Sequence, residues 1–297
     1  MKLATTTGDF NAYTGDPIES LKYIREAGFK YADYSFSLDY RTTTGVWSEN
    51  YEKYFDDVRC AADKIGIKLV QSHAPMGKPL EDGGLLMRDT LRCVDACAAW
   101  EIPTLVVHSG YTPGLNVEQT YEENKKFYMP ILERAEKYGV EILVENFNKM
   151  HVDGLYWIDN APELLGLIEY INHPLFHAVW DTGHANLQEM PQDEALRIMG
   201  SHVHALHVQD NLGDSDTHLQ PFIGTMNLDS VMNGLREIDY KGYFTFEIGG
   251  IYAAAGKRRR VEEEKLLTPP PEARIAMEKY IFELGKSILG KYGCFEE

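Results

Sequence analysis

Eight times along the chain a short β-branched or aromatic run gives way to a longer amphipathic stretch, and this alternation restricts the fold more than any composition figure does. The short runs are residues 2–6, 31–37, 68–73, 104–108, 141–146, 177–181, 205–209 and 243–248. The long ones are 17–27, 49–64, 85–100, 118–138, 161–171, 193–200, 228–238 and 272–289. Strand then helix, repeated, is the order a parallel sheet requires, because parallel neighbours need a crossover between them. Eight such units in 297 residues predict a single (β/α)8 TIM barrel spanning residues 1–297 rather than two domains.

The punctuation agrees. Asp16-Pro17 and Asn160-Ala161-Pro162 supply a side-chain cap followed by an early-turn proline, and Gly28, Gly66 and Gly139 stand where helices must stop. Gly-Phe-Lys-Tyr, Gly-Ile-Lys-Leu and Gly-Val-Glu-Ile then run from those glycines straight into strands, the short return a barrel needs. Two connections are longer, 40–48 and 249–273, and both belong at the barrel mouth. The second carries Lys257, Arg258, Arg259 and Arg260, a run that would suit a phosphorylated substrate. Glutamates 262–264 answer those charges, so a solvated or subunit-contacting loop is the simpler role.

Ionisable residues sit where the strands end. Gln-Ser-His73, Val-Val-His108, Leu-Val-Glu145, Val-Trp-Asp181, Ala-Leu-His207 and Phe-Glu247 each place a metal-ligating type at or beside the carboxyl end of an apolar run. In a barrel those ends converge on one face, so residues distant in sequence meet there. One such residue would ordinarily be a hydrogen-bonded core group; six of them call for another explanation. Carboxylates and imidazoles buried together without countercharge are costly, and no lysine or arginine stands at these strand ends to supply it. A divalent cation does. His184, three past Asp181, and Asp216 with His218 extend the set beyond the sixth and seventh strands. Mixed histidine and carboxylate donors suit Mn²⁺, Zn²⁺, Co²⁺ or Fe²⁺, whereas Mg²⁺ prefers oxygen alone. His173, His177, His202 and His204 read as helix-end or strand-exterior groups without chemistry.

Charge narrows the partners. Forty-six acidic against 29 basic residues give a net charge of −17, which opposes binding of polyanions. Four cysteines, Cys60, Cys93, Cys97 and Cys294, form no CxxC or dense disulfide pattern and read as reduced thiols. The start has no apolar signal region and no run of 18 apolar residues occurs, so the expected location is the cytoplasm, with no membrane partner.

Taken in order, His73-Ala-Pro, Val-His108-Ser-Gly, Glu145-Asn146, Asp181-Thr-Gly-His184, Leu-His207-Val-Gln-Asp, Asp216-Thr-His218-Leu-Gln-Pro and Phe-Thr-Phe-Glu247 resemble the xylose-isomerase-like barrel superfamily. That group holds the sugar-phosphate isomerases and epimerases together with the apurinic-site endonucleases, and the resemblance covers nearly the whole chain. From the sugar-converting members it implies one essential divalent cation, Mn²⁺ first with Zn²⁺, Co²⁺ or Mg²⁺ as alternatives, on Glu145, Asp181, His207 and Glu247. Glu145 and Glu247 would then be the acid and base of a proton transfer beside a carbonyl, through a metal-stabilised enediolate. From the endonuclease branch it implies three Zn²⁺, with His73, His108, His184, Asp216 and His218 as additional ligands; in a sugar enzyme those five would bind substrate. The motifs leave one metal and three both open.

On the sugar reading, the small-molecule substrate is a sugar, keto-sugar or inositol ketone, and Phe10, Phe36, Trp47, Phe147, Trp157 and Trp180 are candidates to close over it. His151 is a further acid/base or substrate-binding candidate. The ketose 3-epimerases of the group commonly carry an arginine shortly after the seventh-strand histidine, and here the segment Gln-Asp-Asn-Leu-Gly-Asp-Ser-Asp-Thr-His holds none. Isomerase or epimerase therefore stands beside a lyase or C-glycoside-cleaving alternative. The abasic-site nuclease alternative lacks cationic mouth loops: those after the first three strands hold Arg41 and Lys78 against Asp9, Asp16, Asp39, Glu81 and Asp82. A homo-oligomer or a partner subunit is expected on resemblance alone.

Overall fold

The computed structural model describes residues 1–10, 14, 16–37, 44–80, 84–148, 158, 160–249 and 270–297. His151, Trp157 and the basic run Lys257 to Arg260 lie outside the described residues. Among the described residues eight strands occur: β1 Lys2–Thr6, β2 Tyr31–Ser35, β3 Lys68–His73, β4 Thr104–Val106, β5 Glu141–Glu145, β6 Phe176–Asp181, β7 Val203–His207 and β8 Tyr243–Phe246. All pair in parallel, in the order β7-β6-β5-β4-β3-β2-β1-β8. Past the strand ends, Val208 N donates to Thr245 O (2.7 Å) and Glu247 N donates to Val208 O (3.1 Å), which brings β7 against β8 and closes the (β/α)8 barrel.

The described helices are α1 Pro17–Glu26, α2 Tyr51–Ile65, α3 Leu85–Trp100, α4 Val117–Glu136, α5 Ala161–Ile171, α6 Thr182–Asn186, α7 Gln192–Met199, α8 Leu228–Glu237 and α9 Pro271–Lys291. Their starts are chemically marked. Asp16 accepts from Ile18 N ahead of Pro17, Asn160 accepts from Glu163 N, and Asn116 and Gln119 form a reciprocal capping box. Each cap is worth about 1 kcal/mol. Gly66 ends α2 at φ 73°, a left-handed turn that admits glycine at no steric cost.

Strand alternation makes two cores. Val106, Leu143, Val179 and Ala205 face inward as a layer across the barrel. Their neighbours, including Leu105, Ile142, Val144 and Leu206, face outward under the helices. Trp180 belongs to this outer set: it is fully buried and its Nε1–H donates to Gln192 Oε1 (3.2 Å) on α7. The sequence-based expectation that Trp180 closes over a substrate is therefore corrected, because Asp181 points inward and the preceding residue must point out. Phe10 and Phe36 are buried in the same outer core. Trp47 lies in the 3-10 turn Gly45–Trp47 after β2, half-buried against the core.

One helix was not anticipated. The short α6 follows β6 directly, with Asp181 as its cap: His184 N donates to Asp181 Oδ1 (2.6 Å). Predicted strands 4 and 7 also end earlier than expected, so His108 lies two residues beyond β4 and His207 is the last residue of β7.

Candidate metal centre

The nine candidate residues come together. Glu145, at the end of β5, is their hub: Oε1 accepts from His207 Nδ1 (2.7 Å), while Oε2 lies 3.5 Å from His73 Nε2 and 3.4 Å from His108 Nε2. Glu247 Oε2, just past β8, approaches the same His207 Nδ1 at 3.6 Å. His184 Nε2 donates to Asp216 Oδ2 (3.1 Å), and His218 Nε2 stands 3.4 Å from Asp216 Oδ1. Three donor groups result, each with ligand atoms within 4.8 Å of one another: Glu145, Asp181, His207 and Glu247; His73, His108 and Glu145; His184, Asp216 and His218.

Histidine orientation supports a cation here. His73 Nδ1–H donates to Ala74 O (2.7 Å), His184 Nδ1–H to Asn146 O (2.8 Å) and His218 Nδ1–H to Glu247 O (3.0 Å). Each imidazole is held by a backbone carbonyl through one nitrogen and turns Nε2 toward the carboxylates, the usual arrangement behind metal-ligating histidine. His207 uses the opposite nitrogen: Nε2 faces Asp33 Oδ2 at 3.4 Å, and Nδ1 faces the two glutamates. Glu145 Oε2 and Asp181 Oδ2 are buried with no hydrogen-bond partner among the described residues. Buried carboxylate oxygens left this way fit a cation held between them.

Electrostatics point the same way. Burial, reinforced by Glu145, Glu247 and Asp216, pushes the Asp181 carboxyl up to about 7. Burial opposes charge on His184, yet Asp181 and Asp216 raise it to about 10. Burial takes His108 down to about 3, so its imidazole is neutral. Burial also works against the charged forms of Glu145 and Asp216, but facing imidazoles hold both below the usual carboxylate range. Among these residues the protein balances negative charge with imidazolium, a role a divalent ion would take over on displacing the protons.

Several contributors had been given no role from sequence. Asp33 on β2 is buried against His207, and Gln71 on β3 reaches Asp33 at 3.4 Å. Gln209 Nε2 donates to Asp181 Oδ1 (3.2 Å) and Asp216 Oδ1 (2.8 Å), tying two donor groups together. Asn146 donates to Asp181 O and accepts from Asp181 N, which locks the ends of β5 and β6. For Asp33 and Gln71 the available signal was polarity within otherwise apolar strands, whereas Asn146 and Gln209 stand just past the ends of β5 and β7. Among the described aromatic candidates, Phe147 packs against this cluster, its ring centroid 5.1 Å from His108 and 4.4 Å from His184. A guanidinium also comes near this rim. Arg274 of α9 pairs with Asp9 after β1 (2.9 Å) and with Glu278 (2.7 Å), and so is already committed.

Comparison with known proteins adds the following. A family model described as xylose isomerase-like TIM barrel matches residues 21–270. An uncharacterised protein of Methanocaldococcus jannaschii, MJ1311, is 31% identical over 207 residues, covering 66% of this chain and 68% of its own. The fructoselysine 3-epimerase of Escherichia coli O157:H7 is 27% identical over 146 residues, 49% of this chain and 51% of that enzyme. The crystal structure of a D-tagatose 3-epimerase-like protein superposes with a TM-score of 0.74 at 21% identity, covering 98% of this chain and 99% of that one. With most of its length matched by that model and its strand ends converging as they do, the chain belongs to the xylose isomerase-like TIM-barrel family.

Proposed function

We propose that the protein is a divalent-metal-dependent carbohydrate isomerase or epimerase that moves a proton at the carbon beside a carbonyl of a sugar or keto-sugar. The observation that carries this reading is the convergence of Glu145 and Glu247, from strands three apart, on one imidazole, His207, within a four-residue donor group completed by Asp181. The sugar 3-epimerases among its relatives support the substrate class.

Glu145, Asp181, His207 and Glu247 would hold the cation, Mn²⁺ first and Zn²⁺, Co²⁺ or Mg²⁺ as alternatives. When bound, it supplies positive charge to adjacent carbonyl and hydroxyl oxygens and so lowers the cost of the enediolate charge. Glu145 and Glu247 take the proton from carbon and return one, acting as general base and general acid. His184 and His218 are fixed by backbone carbonyls with Nε2 toward Asp216, and would turn Nε2 from that carboxylate to substrate hydroxyls, while Phe147 packs on the His184 ring. The small-molecule partner is a sugar rather than nucleic acid, in keeping with a net charge of −17.

A second reading, a three-zinc phosphodiesterase acting on abasic sites, draws on the two further donor groups around His73 and Asp216. Metal analysis with a screen of keto-sugars, sugar phosphates and abasic-site DNA separates the two. Solvent deuterium entering a keto-sugar with about one ion bound at the carboxyl end of the barrel is the expected result. About three zinc ions at that end with strand nicking would replace the sugar reading by the nuclease.

A further inference from the structure

The strands that supply Glu145, Asp181 and His207 carry a second donor set at their opposite ends. Glu141 opens β5, His177 is the second residue of β6 and His204 the second of β7. Glu141 lies four residues before Glu145, and His177 four before Asp181. An even spacing puts both on the inward face, below the layer formed by Leu143 and Val179. The third member needs a different device. Ala178 pairs with Val203 and Val179 with Ala205, so His204 is an extra residue on β7. A bulge of this kind re-aims its side chain. Here the His204 ring stacks on His177, centroids 3.7 Å apart and planes 13° from parallel, and its Nδ1 lies 2.8 Å from Glu141 Oε2.

We propose that Glu141, His177 and His204 form a second metal site, for Zn²⁺ or a similar borderline ion, at the amino end of the barrel and separate from the carboxyl-end cluster. One ligand atom from each of the three lies within 4.8 Å of the other two, close enough for small side-chain rotations to reach zinc–nitrogen bonds of about 2.0–2.1 Å. His177 is already oriented. Its Nε2–H donates to Pro174 O (3.1 Å), which leaves the Nδ1 lone pair bare, and Nδ1 is buried with no hydrogen-bond partner among the described residues. A backbone carbonyl behind one nitrogen and an unanswered lone pair on the other is how protein holds a histidine for a metal. His202, whose ring centroid lies 6.1 Å from that of His177, also has a buried Nδ1 without a partner among the described residues but stands outside the three-residue donor group. Two imidazoles and one carboxylate select zinc-like ions over Mg²⁺ and Ca²⁺. Glu141 and His204 remain about 30% exposed, so an ion can enter from the amino end. Four residues of strand, about 13 Å, separate this site from the carboxyl-end set.

Crystals of this chain grown with millimolar Zn²⁺ and measured at the zinc edge should show an anomalous peak among these three side chains. His177→Phe and His204→Gln should each lower bound zinc by about one equivalent per chain while solvent exchange into substrate continues. An occupied carboxyl end with no peak at Glu141, His177 and His204 overturns the proposal, since the stacked histidines would then be a hydrogen-bonded strand contact alone. So does zinc stoichiometry unchanged in both variants. Where a variant fails to fold, the peak on the unaltered chain decides.

Discussion

At the residue scale the two glutamates are not equivalent. Glu145 is buried and shared between two donor groups, whereas the Glu247 side chain keeps 25% of its surface and belongs to one. Glu247→Gln is therefore expected to slow solvent deuterium exchange by roughly 10²–10⁴, the usual worth of an acid/base group, with a smaller effect on metal content. Exchange and metal analysis on the same preparation check it; turnover surviving in the variant would remove Glu247 from the proton transfer. Glu145→Gln should cost metal and activity together. Six of the nine clustered residues were legible one at a time because each closes an apolar run, and His184, Asp216 and His218 were legible as extensions of the sixth and seventh strands. Asp33 and Gln209 were not, because their value lies in what they touch across the barrel, His207 in one case and Asp181 with Asp216 in the other. Trp180 was misplaced for a related reason: nearness in sequence to Asp181 does not mean a shared face.

At the element scale, two supports decide whether the cluster forms. The turn from β6 into α6 passes so close to Gln209 that a Cβ at Gly183 would collide with its amide group. Gly183→Ala should displace Gln209 from Asp181 and Asp216, lower activity more than it lowers sugar affinity, and cost about 1–3 kcal/mol of stability, as steady-state kinetics and denaturant unfolding would show. The second support is α9, which buries Arg274 between Asp9 and Glu278. Arg274→Met should destabilise by about 3–5 kcal/mol, because it strands two buried carboxyls.

Burial pushes Glu278 up to about 8 from its ordinary 4.5. The unfolded chain therefore loses this proton first as pH rises, so stability present below pH 4.5 is lost progressively toward pH 8. Glu278→Gln should flatten that slope in unfolding curves measured across the window; an unchanged slope would exclude Glu278 as its source. Seven of the eight predicted strands began within one residue of where they are found. Only the seventh was displaced by two, at the bulge that no local pattern announces.

At the scale of the whole molecule, the chain closes on itself through its termini as well as its sheet. The Met1 amino group donates to Cys294 O (2.6 Å), and Glu296 N donates to Met1 O (2.9 Å). Metal bound only by the folded chain adds about 2.7 kcal/mol at a hundredfold excess over Kd. Chelation should accordingly lower Tm by several degrees, and calorimetry with and without chelator measures it. No described helix is long and apolar enough to cross a membrane. Eightfold alternation made the architecture readable, whereas the pairing of strand ends with their opposite ends depends on register and could be seen only once the barrel was built.

The contact between β7 and β8 has a mechanical meaning. Glu247 donates its own amide to Val208, one residue past His207, so the backbone seam of the barrel and two of the candidate ligands occupy the same few residues. An ion gripped by His207 and Glu247 would act as a rivet across that seam. The amides of Val208 and Glu247 should then be slow to exchange with solvent in the loaded protein and among the first to open in the stripped one.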